Sequence, residues 1–167
     1  MSPSPRTTIT LPRARFEQLA AIADKRGLPN PTAVIEAWIA RAIAEGEISP
    51  QTPGFSVVRD DDVVAIQIAG HHLPFVKIQK AAVIASVLSA AAGEPDEELG
   101  FYLEVGRPVV LDLGDGNGTL AIGRVGRGVK FILKTDAGSC TKMFSCPPGL
   151  AMDVVNQILT VTRVTVN

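Results

Sequence analysis

The segment Arg6-Thr-Thr-Ile-Thr-Leu-Pro12 alternates cleanly, and no other feature constrains the chain as tightly. In an extended strand Arg6, Thr8 and Thr10 face one side and Thr7, Ile9 and Leu11 the other, because successive side chains point to opposite faces. Pro12 lacks a backbone N–H, so it ends any ladder and suits the first turn of a helix. Helical periodicity follows at once, which leaves the strand no neighbour in sequence to pair with. A lone strand exposes a row of backbone donors and acceptors, and a copy from a second chain satisfies them.

From Arg13 to Arg26 the apolar residues Phe16, Leu19, Ala20, Ile22 and Ala23 fall three and four apart, as on one face of a helix. Gly27 ends that helix. Asn30-Pro31-Thr32 starts another, with Asn30 as N-cap and Pro31 at the first helical position. The pairs Val34/Ile35, Trp38/Ile39 and Ala42/Ile43 form its apolar stripe, and Gly46 closes it. A segment of about forty residues holds too little core to stand as a monomer. The expectation is an intertwined dimer, with the strands paired antiparallel and four helices packed around Ile9, Leu11, Phe16, Leu19, Ile35, Trp38 and Ile39.

Arg-x-Thr-Ile-Thr-Leu-Pro at 6–12, a first helix ending Lys25-Arg26-Gly27-Leu28 and a second opening near Thr32 together resemble the ribbon-helix-helix family of bacterial DNA-binding regulators, the group of the Arc and MetJ repressors. The resemblance covers residues 5–46. It implies that the paired strands enter the major groove of double-stranded DNA and that Arg6, Thr8 and Thr10 meet base edges. Arginine can bond guanine O6 and N7 together, and threonine offers a hydroxyl and a methyl group. The family's helix N-termini hold the flanking phosphates, which here implicates Asn30, Thr32 and Ala33, with Arg13 beside the groove. Plain capping explains Asn30 equally well, and a solvated charge explains Arg13. The turn Pro29-Asn30-Pro31-Thr32 departs from the family's Ser/Arg-containing turn, and its prolines remove two backbone donors from the phosphate contact.

The charge distribution agrees with one focused anionic contact. Arg6, Arg13 and Arg15 precede any acidic residue, on a chain whose net charge is −1. That balance argues against a protein that coats nucleic acid indiscriminately. No apolar run reaches membrane-spanning length, and Met-Ser-Pro-Ser-Pro-Arg lacks a secretory core, so a cytoplasmic, nucleoid-associated protein is expected.

Nothing points to catalysis or to a cofactor. His71 and His72 would point to opposite faces of a strand, and the Cys140/Cys146 spacing fits no common zinc knuckle. Gly114-Asp-Gly-Asn-Gly118 lacks the Lys-Ser/Thr of a phosphate loop and reads as a hairpin turn. The basic run from Gly123 to Gly128, continued by Lys130, Lys134 and Lys142, would bind DNA nonspecifically or complement the acidic stretch at 94–98.

The predicted fold class is α+β: a ribbon-helix-helix unit over residues 1–46, a Ser/Pro/Gly linker at 47–54, and a separate α+β domain over 55–167. Strands are expected at 55–60, 63–69, 73–79, 101–105, 108–113, 119–124, 129–135 and 141–145. Helices are expected at 80–92 and from Pro147-Pro148, with the tail at 160–166 continuing the helix or forming an edge strand. The domain thus has two strand-rich halves, each ending in a helix. That order is similar to the PC4/Whirly type of single-strand nucleic-acid-binding fold. Overall the sequence reads as a homodimeric or larger DNA-binding repressor or autoregulator, whose C-terminal domain oligomerises, binds a protein partner or senses a ligand. Plasmid partition, relaxosome and antitoxin roles use the same N-terminal module.

Overall fold

The computed structural model describes residues 8–93, 103–126, 128–135 and 141–163. Arg6, the acidic stretch at 94–98, the start of the strand expected at 101–105, Cys140 and the end of the tail lie outside them. The α+β class holds: the described residues form four helices and two antiparallel sheets. The chain divides into two compact units, residues 1–50 and 51–167.

In the first unit the earliest described element is a helix, not the expected strand. Residues 8–12 carry no strand ladder, so the described part of the strand expected at 6–11 is not formed within this chain. Helix α1 spans Arg13–Arg26 and stops at Gly27, whose φ of 67° suits a left-handed cap. The Leu28 N–H returns to Ala23 O at 2.9 Å. Helix α2 spans Pro31–Ala44, with Pro31 at its start. Leu19, Ala23 and Val34 form the buried core between the helices, with Ile22, Leu28 and Ile35 against it.

The second unit repeats one plan. Strands β1 (Ser56–Asp60) and β2 (Val63–Ile68) make a hairpin, and β3 (His71–His72) and β4 (Val76–Lys77) both pair with β2. Of the strand expected at 73–79 only Val76–Lys77 forms, β3 lies before it, and Ile78 and Gln79 belong to the following helix. Pro74 has no N–H to donate, so the ladder breaks there. Helix α3 (Ile78–Ala92) begins two residues before the expected Lys80, with the Ile78 N–H on Asp62 O at 3.1 Å. Of the strand expected at 101–105, the described part supplies one isolated bridge, Val105 to Arg124.

A meander of β5 (Val109–Asp112), β6 (Thr119–Val125), β7 (Gly128–Lys134) and β8 (Thr141–Cys146) forms the second sheet. Gly118 sits at φ 86°, where a Cβ would collide with the Lys134 carbonyl, so the glycine-rich turn is a constraint of hairpin packing. Helix α4 (Pro148–Arg163) follows, and the first half of the tail continues it.

Alternation puts Val57, Val64, Ile66 and Ile68 of the first sheet, and Leu120, Ile122, Phe131 and Leu133 of the second, into one core. Ile84, Val87 and Leu88 of α3 and Val154, Val155 and Ile158 of α4 complete it. Edge strand β1 is sealed by α4. The Gln157 side chain, 6% exposed, accepts the Val57 N–H at 3.1 Å. Arg59 reaches from the same strand to Val161 O at 3.1 Å. Such cover blunts an edge that would otherwise recruit foreign strands. Gln157→Ala strands a buried N–H and should cost about 1–3 kcal/mol in urea unfolding at unchanged m-value.

Candidate nucleic-acid interface

The first unit leaves much of its apolar surface uncovered. Ile9 is 73% exposed, Phe16 54% and Trp38 45%, and Leu11 and Ile39 are exposed as well. Of the seven residues expected at a dimer core, Leu19 is buried and Ile35 half-buried within one chain. The other five stay exposed within one chain. Ala23 and Val34, named in the helical patterns but not as core, carry the intrachain packing. Both are small enough to fill the close contact between α1 and α2, which is the signal that size pairing would have given.

Thr8 and Thr10 are exposed, on a segment held by no ladder. At the start of α2 the Asn30 side chain accepts the Ala33 N–H at 3.0 Å. One of the two backbone donors expected to meet phosphate is therefore engaged, and an arriving phosphate would meet Thr32 and compete with Asn30 for Ala33. Arg13 pairs with Glu17 at 2.9 Å, with both side chains largely in solvent. An exposed pair of this kind contributes at most about 1 kcal/mol and yields readily to a phosphate. Arg15 bonds Gln18 at 2.8 Å.

In the second unit the paired histidines part company. His71 stacks on Phe144 with centroids 4.5 Å apart, and His72 Nε2 lies 3.2 Å from Gln67 Nε2. Phe131 extends that stack beyond Phe144 at 4.9 Å. Burial pushes the Cys146 thiol up to about 12, which leaves it a core side chain with little thiolate at neutral pH. The residues of the basic run separate: Lys130 and Lys134 share one face of the second sheet, while Arg124 and Lys142 sit in the alternate register.

Among the described residues no helix is long and apolar enough to cross a membrane. Comparison with protein-family models, curated proteins and solved structures gave no match to the chain.

Proposed function

We propose that the first unit is one half of a ribbon-helix-helix dimer, and that the protein is a sequence-specific double-stranded DNA-binding repressor. The observation that carries this reading is the unmet apolar surface of Ile9, Leu11, Phe16, Trp38 and Ile39 beside a three-residue core. Burying a half-exposed side chain of this size contributes about 1–2 kcal/mol, and a two-fold partner supplies five such sites twice over. Turning Ile9 and Leu11 into that interface turns Thr8 and Thr10 outward, together with Arg6 one strand period before them. Paired in two chains, these side chains form a polar ribbon narrow enough for the major groove. Thr32 and Arg13 then contact flanking phosphates, which fix register and carry no sequence information. Repression or autoregulation in the cytoplasm, on the nucleoid, follows from occupancy of an operator.

A second reading concerns residues 51–167. Four strands and a helix, twice, is the element order that the chain shares with the PC4/Whirly single-strand-binding fold. Phe75, 63% exposed and close in sequence to Lys77, is a place for a base to stack. Base stacking of this kind contributes about 1–3 kcal/mol. Single-strand affinity that falls on Phe75→Ala would support a role for this unit; no measurable single-strand affinity would remove it.

Selection of bound duplexes from a random pool tests the main reading and should return a two-fold symmetric site. Arg6→Ala and Thr10→Ala should each weaken that site by about 1–3 kcal/mol, with affinity for unrelated duplex little changed. Equal affinity of wild type and both variants for the selected site would rule out readout by the strand.

A further inference from the structure

The outer faces of the two sheets differ in how far their apolar rows extend. On the first sheet Ser56, Gln67 and His72 form one cross-strand row. Ser56 donates to Gln67 at 3.3 Å, and the Gln67 amide meets His72. That row is polar and internally bonded, and beside it on the same face lies a short apolar pair, Val58 and Ala65, with Val58 58% exposed.

On the second sheet the apolar row is longer and crosses all four strands. Its register sets Val110, Ala121, Ile132 and Met143 side by side across all four strands. They face away from the core, which takes the alternate residues Leu120, Ile122, Phe131 and Phe144. Val110 is 63% exposed and Met143 49%. On one side of this row lie Asp112, Thr119, Lys134 and Thr141. On the other lie Gly123, covered at its edge by Pro108, then Lys130 and Ser145.

Size and charge are distributed unevenly over these rows. The β6 half is small, with Thr119, Ala121 and Gly123, while β7 and β8 carry Lys134, Ile132, Lys130 and Met143. A depression of about 260 Å³ lies over the small half, lined by Pro108, Ala121, Gly123, Lys130 and Ile132 among others.

We propose that this face docks on the same face of a second copy of the chain, about a two-fold axis parallel to the strands and between β6 and β7. Such an axis exchanges the halves. Ile132 of the second copy falls over Ala121, Met143 over Val110, and the stem of Lys130 over Gly123. Each large side chain meets a small or apolar one, and the depression receives Ile132 and Lys130. Asp112 comes beside Lys134 of the second copy, twice by symmetry, which gives the rim opposite charges. Face-to-face packing of two sheets at about 10 Å accommodates these contacts, with the lysine heads reaching solvent past their stems. An axis across the strands would instead set Lys134 over Lys130, and like charges oppose it. Single-stranded nucleic acid is a poorer occupant, since the rows contain no aromatic ring for a base to stack on. The interface belongs to the second unit and does not rest on the DNA-binding reading of the first.

The register can be tested directly in the full chain. Val110 and Met143 lie on the two edge strands of the sheet, three strand spacings or about 14 Å apart. A bis-maleimide shorter than that distance cannot bridge them within one chain. Val110→Cys/Met143→Cys should therefore cross-link most of the chain into covalent dimers on a denaturing gel. Either single variant, with native Cys140 and Cys146 present in all, should remain monomeric. So should Val110→Cys/Lys142→Cys, because a one-residue step turns the second thiol to the other face. Both primary positions are exposed, and circular dichroism checks that each variant is folded. Cross-linking of the double variant no greater than in these controls would overturn the proposal. If single-stranded oligonucleotide then shielded the introduced thiols from alkylation, the face would belong to nucleic acid.

Discussion

The apolar face that the first unit leaves exposed is the constraint on which its proposed dimer depends. Two helices of 14 residues each, joined at Gly27, bury Leu19, Ala23 and Val34 between them and leave Phe16 and Trp38 in water. Three buried side chains cannot offset the conformational entropy of ordering some forty residues, which runs to roughly 1–2 kcal/mol each for the backbone alone. The same deficit appears in the backbone, where residues 8–12 have no ladder. In the proposed dimer a second chain would cure both at once: its strand would pair with this one, and its helices would cover the exposed stripe.

Within the second unit the balance is different. Both sheets and both helices share one core, and the exposed edge of β1 is closed by Gln157 and Arg59 against α4. Those contacts span 100 and 102 residues of sequence, so they tie the start of the unit to its end. The apolar row on the second sheet stands out because it crosses all four strands, whereas on the first sheet the apolar pair Val58 and Ala65 lies beside a polar, bonded row.

Much of this was legible from the residues. The limits of α1 follow from Pro12 and Gly27, and those of α2 from Asn30-Pro31 and Gly46, because these residues act through backbone geometry that packing does not override. The hairpins around Asp61 and Gly114–Gly118 were equally plain. What escaped was tertiary in origin. The segment at 73–79 has strand composition throughout, yet Pro74 lacks an N–H and α3 takes Ile78 and Gln79, which leaves only Val76–Lys77 paired. The exposed row on the second sheet depends on four strands being in register, and no single strand's pattern reveals it. At the candidate interface Thr8 and Thr10 are exposed, but so are Ile9 and Leu11 between and after them, so exposure does not separate the two faces; the engagement of the Ala33 N–H by Asn30 could be foreseen only as a cap.

The central claim is that the first unit buries its apolar face against a second chain, and Trp38 reports on it because it is the chain's only tryptophan. Within one chain it is 45% exposed. Its emission should be blue-shifted at concentrations where sedimentation equilibrium gives a dimer or larger, and should move toward that of solvated indole as dilution returns the chain to monomer. A monomer at all concentrations, with Trp38 emission unchanged by dilution, would contradict the account.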